Sequence, residues 1–272
     1  MSDLEWLERS GDGSVGKADG GPGKADGGVV KREFTLHRGA RPVPGVLWLP
    51  ERPVGAAPLV LFGHGASGDR HQMPIPWLAR RLVADAGYFG LAIDGPVHGR
   101  RKVGDGARGA FAVEWRRDGC VDDMLADWRA ALDAVQALDE VGRGPVGYWG
   151  LSMGTIFGAP LVASELRIGV AVLGLMGVAG PTEKFRERIR AAAAAIRCPV
   201  LFLMQLEDEL FTREQYLELF DQLASDDKRL HANPGLHPQV PTEELDACIA
   251  FLKRHLGGDR KEPRRFAFNV SQ

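Results

Sequence analysis

The chain has 272 residues, 44% of them hydrophobic and 26% charged, which suits one large α/β domain better than two small ones. A formal net charge of −2 gives no electrostatic case for nucleic acid or an anionic membrane surface as partner. No stretch reaches the roughly 20 consecutive apolar residues that crossing a bilayer requires. The three cysteines, Cys120, Cys198 and Cys248, are widely spaced and odd in number, so they form no disulfide framework and point to a reducing compartment. The first ten residues lack the basic and apolar regions of a secretion signal. A cytoplasmic protein is therefore expected.

Residues 1–28 read as a largely flexible N-terminal extension, set apart from a domain over residues 29–272. Within it Gly16-Lys17-Ala18-Asp19-Gly20-Gly21 recurs as Gly23-Lys24-Ala25-Asp26-Gly27-Gly28. So glycine-rich and apolar-poor a segment buries too little surface to offset its ordering entropy. A flexible extension is favoured over a phosphate-binding loop, since no Gly-Lys-Ser/Thr follows and the preceding sequence does not read as a strand. Leu4, Trp6 and Leu7 are candidates to dock on the body or on a sister subunit, and a homodimer stays open as an assembly.

Alternation over 30–37 and again over 45–49, with a proline-rich turn between, predicts an antiparallel strand pair. Apolar runs then predict strands at 58–62, 91–93, 146–151, 170–175, 200–204 and 228–232. Helical spacing predicts helices over 74–86, 120–138, 153–163, 183–196, 213–223 and 242–256. Thr212 and Gln215 form a capping-box start for the helix at 213. Strands alternating with helices imply a mostly parallel central sheet of about eight strands, with helices on both faces. In such sheets sites gather at the carboxyl ends of the strands.

The most informative stretch is Gly150-Leu151-Ser152-Met153-Gly154, an apolar strand running into Gly-x-Ser-x-Gly with helix-forming sequence behind it. A sharp strand-to-helix turn lifts a serine clear of the sheet and sets it at a helix N-terminus, where developing negative charge is favoured. An acyl-transfer serine needs a base, an acid to orient that base, and two donors for the oxyanion. The Met153 N–H is the first donor. The second is assigned to the Ala66 N–H, in the glycine-rich loop His64-Gly65-Ala66-Ser67-Gly68 after the strand at 58–62; His64 braces that loop. Three carboxylates follow the strand at 200–204; Asp208 is preferred over Glu207 as the acid because its short side chain suits an orienting role. Among seven histidines, His237 lies on a Pro/Gly-defined loop after the last strand and gives the chain order Ser, Asp, His. His37, His231 and His255 read as surface or packing residues. His71 and His98 are placed near the site's mouth, without metal-ligand spacing.

With these motifs, the chain resembles the α/β-hydrolase superfamily, and within it the lidless serine esterases of the dienelactone-hydrolase-like group. The matching pieces are His64-Gly65-Ala66, Asp94 to Arg100, Gly150 to Gly154, Asp208 and Pro234-Gly235-Leu236-His237. The resemblance departs at Gln205, where family members often carry Gly, and at Ser152, since authentic dienelactone hydrolases use Cys. It implies hydrolysis of a small-molecule carboxylic ester of small to medium size through an acyl-enzyme on Ser152, with no cofactor and no metal. A thioesterase, amidase or acyltransferase would use the same residues, and a silent binding protein on the same fold is the alternative of a different class. The segment at 174–181 leaves little room for a cap, so the 97–119 region is a candidate roof. Trp77, Phe111, Trp115, Met176 and Phe211 are candidate pocket residues.

Overall fold

The computed structural model describes residues 4–9, 15–17, 25–104 and 108–257. Most of the glycine-rich repeat lies outside the described residues. Eight strands follow the expected order: β4 (Val29–Arg38), β5 (Arg41–Pro50), β6 (Leu59–Gly63), β7 (Phe89–Ile93), β8 (Val146–Gly150), β9 (Ile168–Gly174), β10 (Val200–Gln205) and β11 (Lys228–Asn233). Three more precede them: β1 (Leu4–Arg9), β2 (Val15–Lys17) and β3 (Ala25–Asp26). Together they form one sheet of order β11-β10-β9-β8-β6-β7-β5-β4-β1-β2, with β3 paired to β4. The pairings from β7 through β6 to β11 are parallel; those of β5, β4 and the N-terminal strands are antiparallel.

The helices are α1 (Ile75–Ala86), α2 (Arg108–Arg116), α3 (Cys120–Gln136), α4 (Met153–Ser164), α5 (Arg186–Ala195), α6 (Arg213–Gln222) and α7 (Thr242–Leu256). The expected helix from residue 183 begins as a tighter 3-10 segment, Gly180–Phe185, with Pro181 in its first turn, and α5 proper starts after it. Both faces of the sheet are covered. Tyr148, Phe202 and Met204 pack with α3 to α6, while the neighbouring positions Trp149, Leu201 and Leu203 pack with α1 and α7. A strand alternates its side chains between faces, so a central strand covered on both sides must be apolar at every position. That is why β6, β7, β8 and, up to Met204, β10 read as unbroken apolar runs and are fully buried.

The N-terminal strands modify the expected organisation. β1 pairs with β4 in the register Leu4↔Leu36 to Leu7↔Glu33, and Trp6 packs edge-on against Phe34 with ring centroids 5.9 Å apart. Leu4 and Trp6 thus dock on the body of the same chain. Among the described residues, no helix is long and apolar enough to cross a membrane.

Candidate active site

Ser152 sits between β8 and α4 with φ 57° and ψ −119°, a backbone conformation that costs a non-glycine residue about 1–3 kcal/mol. The flanking glycines make room for it. A Cβ on Gly154 would stand 2.5 Å from Gly63 O, and one on Gly150 would stand 2.7 Å from Tyr148 Oη. The turn is fastened from below: Tyr148 donates to Gly154 O at 2.6 Å, Thr155 Oγ1 accepts from Gly174 N at 2.9 Å, and Ser152 N donates to Gly174 O at 3.0 Å.

The loops after β10 and β11 bring the other two residues to it. His237 Nε2 lies 2.9 Å from Ser152 Oγ, and His237 Nδ1 lies 2.7 Å from Asp208 Oδ2. The carboxylate can only accept, so Nδ1 carries the proton and Nε2 faces the serine hydroxyl as acceptor. Asp208 Oδ1 accepts from Leu210 N and Phe211 N at 2.7 and 3.1 Å, and Oδ2 also accepts from the Tyr216 hydroxyl. Burial and the adjacent carboxylate push the Tyr216 hydroxyl up from its ordinary range, so it stays a donor. Three of the other histidines are engaged elsewhere: His37 with Glu5 at 2.6 Å, His231 with Glu244 at 2.8 Å, and His255 with Asp227 at 3.5 Å.

The loop after β6 is held by its own side chains. Gly65 N donates to Gln72 Oε1 at 2.8 Å, and Gln72 Nε2 donates to Ser67 Oγ at 2.8 Å. His64 accepts from Gly95 N at 2.8 Å through Nε2, and its Nδ1 lies 2.8 Å from Gly65 O. Burial drives His64 down to about 4, so it is a neutral brace, as its place in the sequence suggested. His98 lies 3.0 Å from Ala66 O and 2.7 Å from Pro96 O. Asp94, fully buried, accepts from Arg70 and from Arg100 N and ties this loop to the next. Neither the Ala66 nor the Met153 N–H donates to a protein acceptor among the described residues. Met153 follows Ser152 directly in the chain, and Ala66 lines the same cavity as Ser152.

A cavity of about 460 Å³ opens on Ser152, His237 and Ala66. Its walls come from Met73, Pro74 and Ile75 before and in α1, from Trp149 and Leu151, and from Leu175, Leu210, Val240 and Leu245. None of the five pocket residues expected from sequence lines it. Met176 and Phe211 are core residues at 0% and 5% exposure; Phe211 packs beside the His237 ring, 5.9 Å between centroids. Trp77 lies under the Arg81 guanidinium on α1. Phe111 and Trp115 of α2 do not roof the cavity. They form a ring stack from His98 to Phe185, with centroids 4.6–4.8 Å apart. Proximity in sequence to the site's motifs did not reveal which face of the sheet the cavity uses. Among the described residues, no group of three or more His, Cys, Asp or Glu side chains is arranged to hold a metal ion.

A cold-adapted esterase from an Arctic intertidal metagenomic library, solved in a PEG-bound complex, is 39% identical over 88% of this chain and 98% of its own, with a TM-score of 0.77. The chain belongs to that esterase's family. Two more distant esterase structures share the fold. The acetyl xylan esterase from Paenibacillus sp. R4 is 17% identical over 94% of this chain and 90% of its own, with a TM-score of 0.64. An esterase of Pyrococcus furiosus is 16% identical over 84% and 93%, with a TM-score of 0.62. No protein-family model matches the chain, and no curated protein does.

Sequence reasoning missed several residues that shape this esterase-family site. Gln205 Nε2 donates to Gln239 O at 2.6 Å, so the departure from Gly noted there ties down the His237 loop. Glu207 accepts from Gly235 N, and Glu209 from His237 N at 2.8 Å. Alternate residues of Glu207-Asp208-Glu209 thus clasp backbone while the middle one meets the ring. Tyr216, one turn into α6, gave no sequence signal beyond being an apolar-face aromatic.

Proposed function

We propose that the protein is a serine esterase that cleaves small to medium carboxylic esters through an acyl-enzyme on Ser152. The observation that carries this is the continuous contact from Ser152 Oγ to His237 Nε2 at 2.9 Å and from His237 Nδ1 to Asp208 at 2.7 Å. It lies at the carboxyl ends of the parallel strands, beside an apolar cavity. The esterase relative at 39% identity supports the same chemistry. The motifs around His64, Asp94 and Ser152 support a place near the dienelactone-hydrolase-like group, with Ser in the position where true dienelactone hydrolases use Cys.

In this mechanism His237 takes the Ser152 proton as Oγ attacks the ester carbonyl, and the Ala66 and Met153 N–H groups receive the oxyanion. Collapse breaks the bond to the alkoxy oxygen, which leaves with the proton from His237. Water then repeats the sequence on the acyl-enzyme and frees the acid. Asp208 fixes the imidazole tautomer and supports its positive form. Replacing Ser152 by Ala is expected to lower kcat on p-nitrophenyl butanoate by roughly 10⁶-fold, as loss of a triad serine does elsewhere. It should also abolish labelling by a fluorophosphonate. A wild-type protein that hydrolyses no ester and takes no label would sink the proposal.

A further inference from the structure

The cavity beside Ser152 carries no Asp, Glu, Lys or Arg in its lining, and its burial is graded. Met73 and Leu210 stand at the rim, 67% and 43% exposed, whereas Ile75, Trp149 and Leu245 are 1%, 3% and 9% exposed. The three inner residues belong to the packed layer between the sheet and α1 and α7. The space therefore runs inward from Ser152 and ends against core side chains. Val240, half-buried on the segment that joins the His237 loop to α7, forms a side wall.

We propose that this blind cavity is the acyl site, that it takes an unbranched apolar acyl chain of medium length, and that Trp149 and Leu245 set the limit on that length. The inference rests on the serine esterase reading given above. An ester has two arms, and only one stays attached to Ser152 Oγ between the half-reactions. The alkoxy arm takes its proton from His237 and must leave before water can reach the acyl carbon. A closed-ended cavity suits the arm that stays. Filled by a departing alcohol, it would have to empty past the acyl group in each turnover. Uncharged walls add their own selection, since a carboxylate or ammonium on the chain would lose its hydration with no partner.

Kinetics on two homologous series test this: p-nitrophenyl esters from acetate to palmitate, and alkyl acetates of rising alcohol length. They are run on the wild type, Leu245→Ala and Val240→Phe. In the wild type, kcat/KM should climb by about fourfold per methylene, the transfer value of a CH₂ group, peak at hexanoate or octanoate, and collapse by palmitate. Leu245→Ala should move the peak to longer acyl chains and Val240→Phe to shorter ones, with the alkyl acetate profile unmoved. A profile flat in acyl length, or variants that shift the alkyl series instead, overturns the assignment. Should Leu245→Ala fail to fold, Val240→Phe at its half-buried position still carries the test. Stoichiometric labelling by diisopropyl fluorophosphonate separates the two levels. An unlabelled wild type refutes the serine reading itself; a labelled one with a flat profile refutes only the acyl site.

Discussion

Asp208 shows how much of a candidate triad lies outside its three named residues. Its side chain is fully buried, and a carboxylate in that position is tolerable only when its oxygens are occupied. Two backbone N–H groups fill Oδ1, and His237 and the Tyr216 hydroxyl share Oδ2. Tyr216→Phe removes one of the two donors on the oxygen that faces the imidazole while keeping the ring's packing against Phe202 and Phe211. Hydrogen bonds to charged groups contribute about 1.5–3 kcal/mol, so kcat on p-nitrophenyl butanoate is expected to fall about tenfold at the low end of that range. Unchanged kcat would reduce Tyr216 to a packing residue. The cysteines illustrate the opposite case, residues whose chemistry the fold suppresses. Burial pushes the Cys198 thiol up to about 11 and raises Cys120 and Cys248 as well, as expected of small core residues.

At the scale of elements, the loops after β10 and β11 are one unit. Gln205, Glu207 and Glu209 each reach across to backbone of the His237 loop, and the capping box of Thr212 and Gln215 starts α6 directly behind Asp208. The sequence exposed the capping box because that pattern is local. It singled out Asp208 by its short side chain but gave no sign of what Glu207 and Glu209 do, because their partners Gly235 and His237 lie about thirty residues away in the chain and adjacent only in space. Glu209→Ala should lower kcat by about tenfold through a loosened His237 backbone, the equivalent of one charge-assisted hydrogen bond. Glu209→Gln should recover most of it, since the amide oxygen still accepts from His237 N–H. If both variants match the wild type in steady-state kinetics, that bond does not position the base.

At the scale of the whole molecule, two buried groups near the site, His64 and Glu33, predict an acid-sensitive fold, while the raised pKa of buried Asp94 acts in the opposite direction. His64 is held at about 4 against an ordinary 6.5, by burial first, with His98 and Arg70 acting in the same direction. The unfolded chain therefore takes up this proton before the folded one. The stability His64 contributes is complete above pH 6.5 and is lost as pH falls to about 4, a total of roughly 3 kcal/mol. Glu33 acts in a lower window. Burial alone would raise its pKa, but the His71 ring, 3.5 Å from Oε1, and the Arg70 pair hold it well below the usual carboxylate range. Its contribution is present above 4.5 and is lost as pH falls further. Urea midpoints measured from pH 8 down to pH 4 should decline from about 6.5, and His64→Gln should flatten that upper part. A wild-type midpoint constant from pH 7 to 4.5 would refute the assignment to His64.

Local signals in the chain were enough for the eight strands β4 to β11, for the helices α1 and α3 to α7 but not α2, and for the order of Ser152, Asp208 and His237 at strand ends. Hydrophobic periodicity and turn glycines are local signals, written within a few residues of what they specify. The tertiary structure alone decided which face of the sheet carries the cavity, and so replaced Trp77, Phe111, Trp115, Met176 and Phe211 by residues of α1, β8 and α7. It also decided the pairing of β1 with β4 and the set of donors around Asp208. Each of these depends on packing between segments distant in the chain. An apolar side chain reads the same whether it will fill a core or line a cavity, and only the neighbours that fail to reach it make the difference.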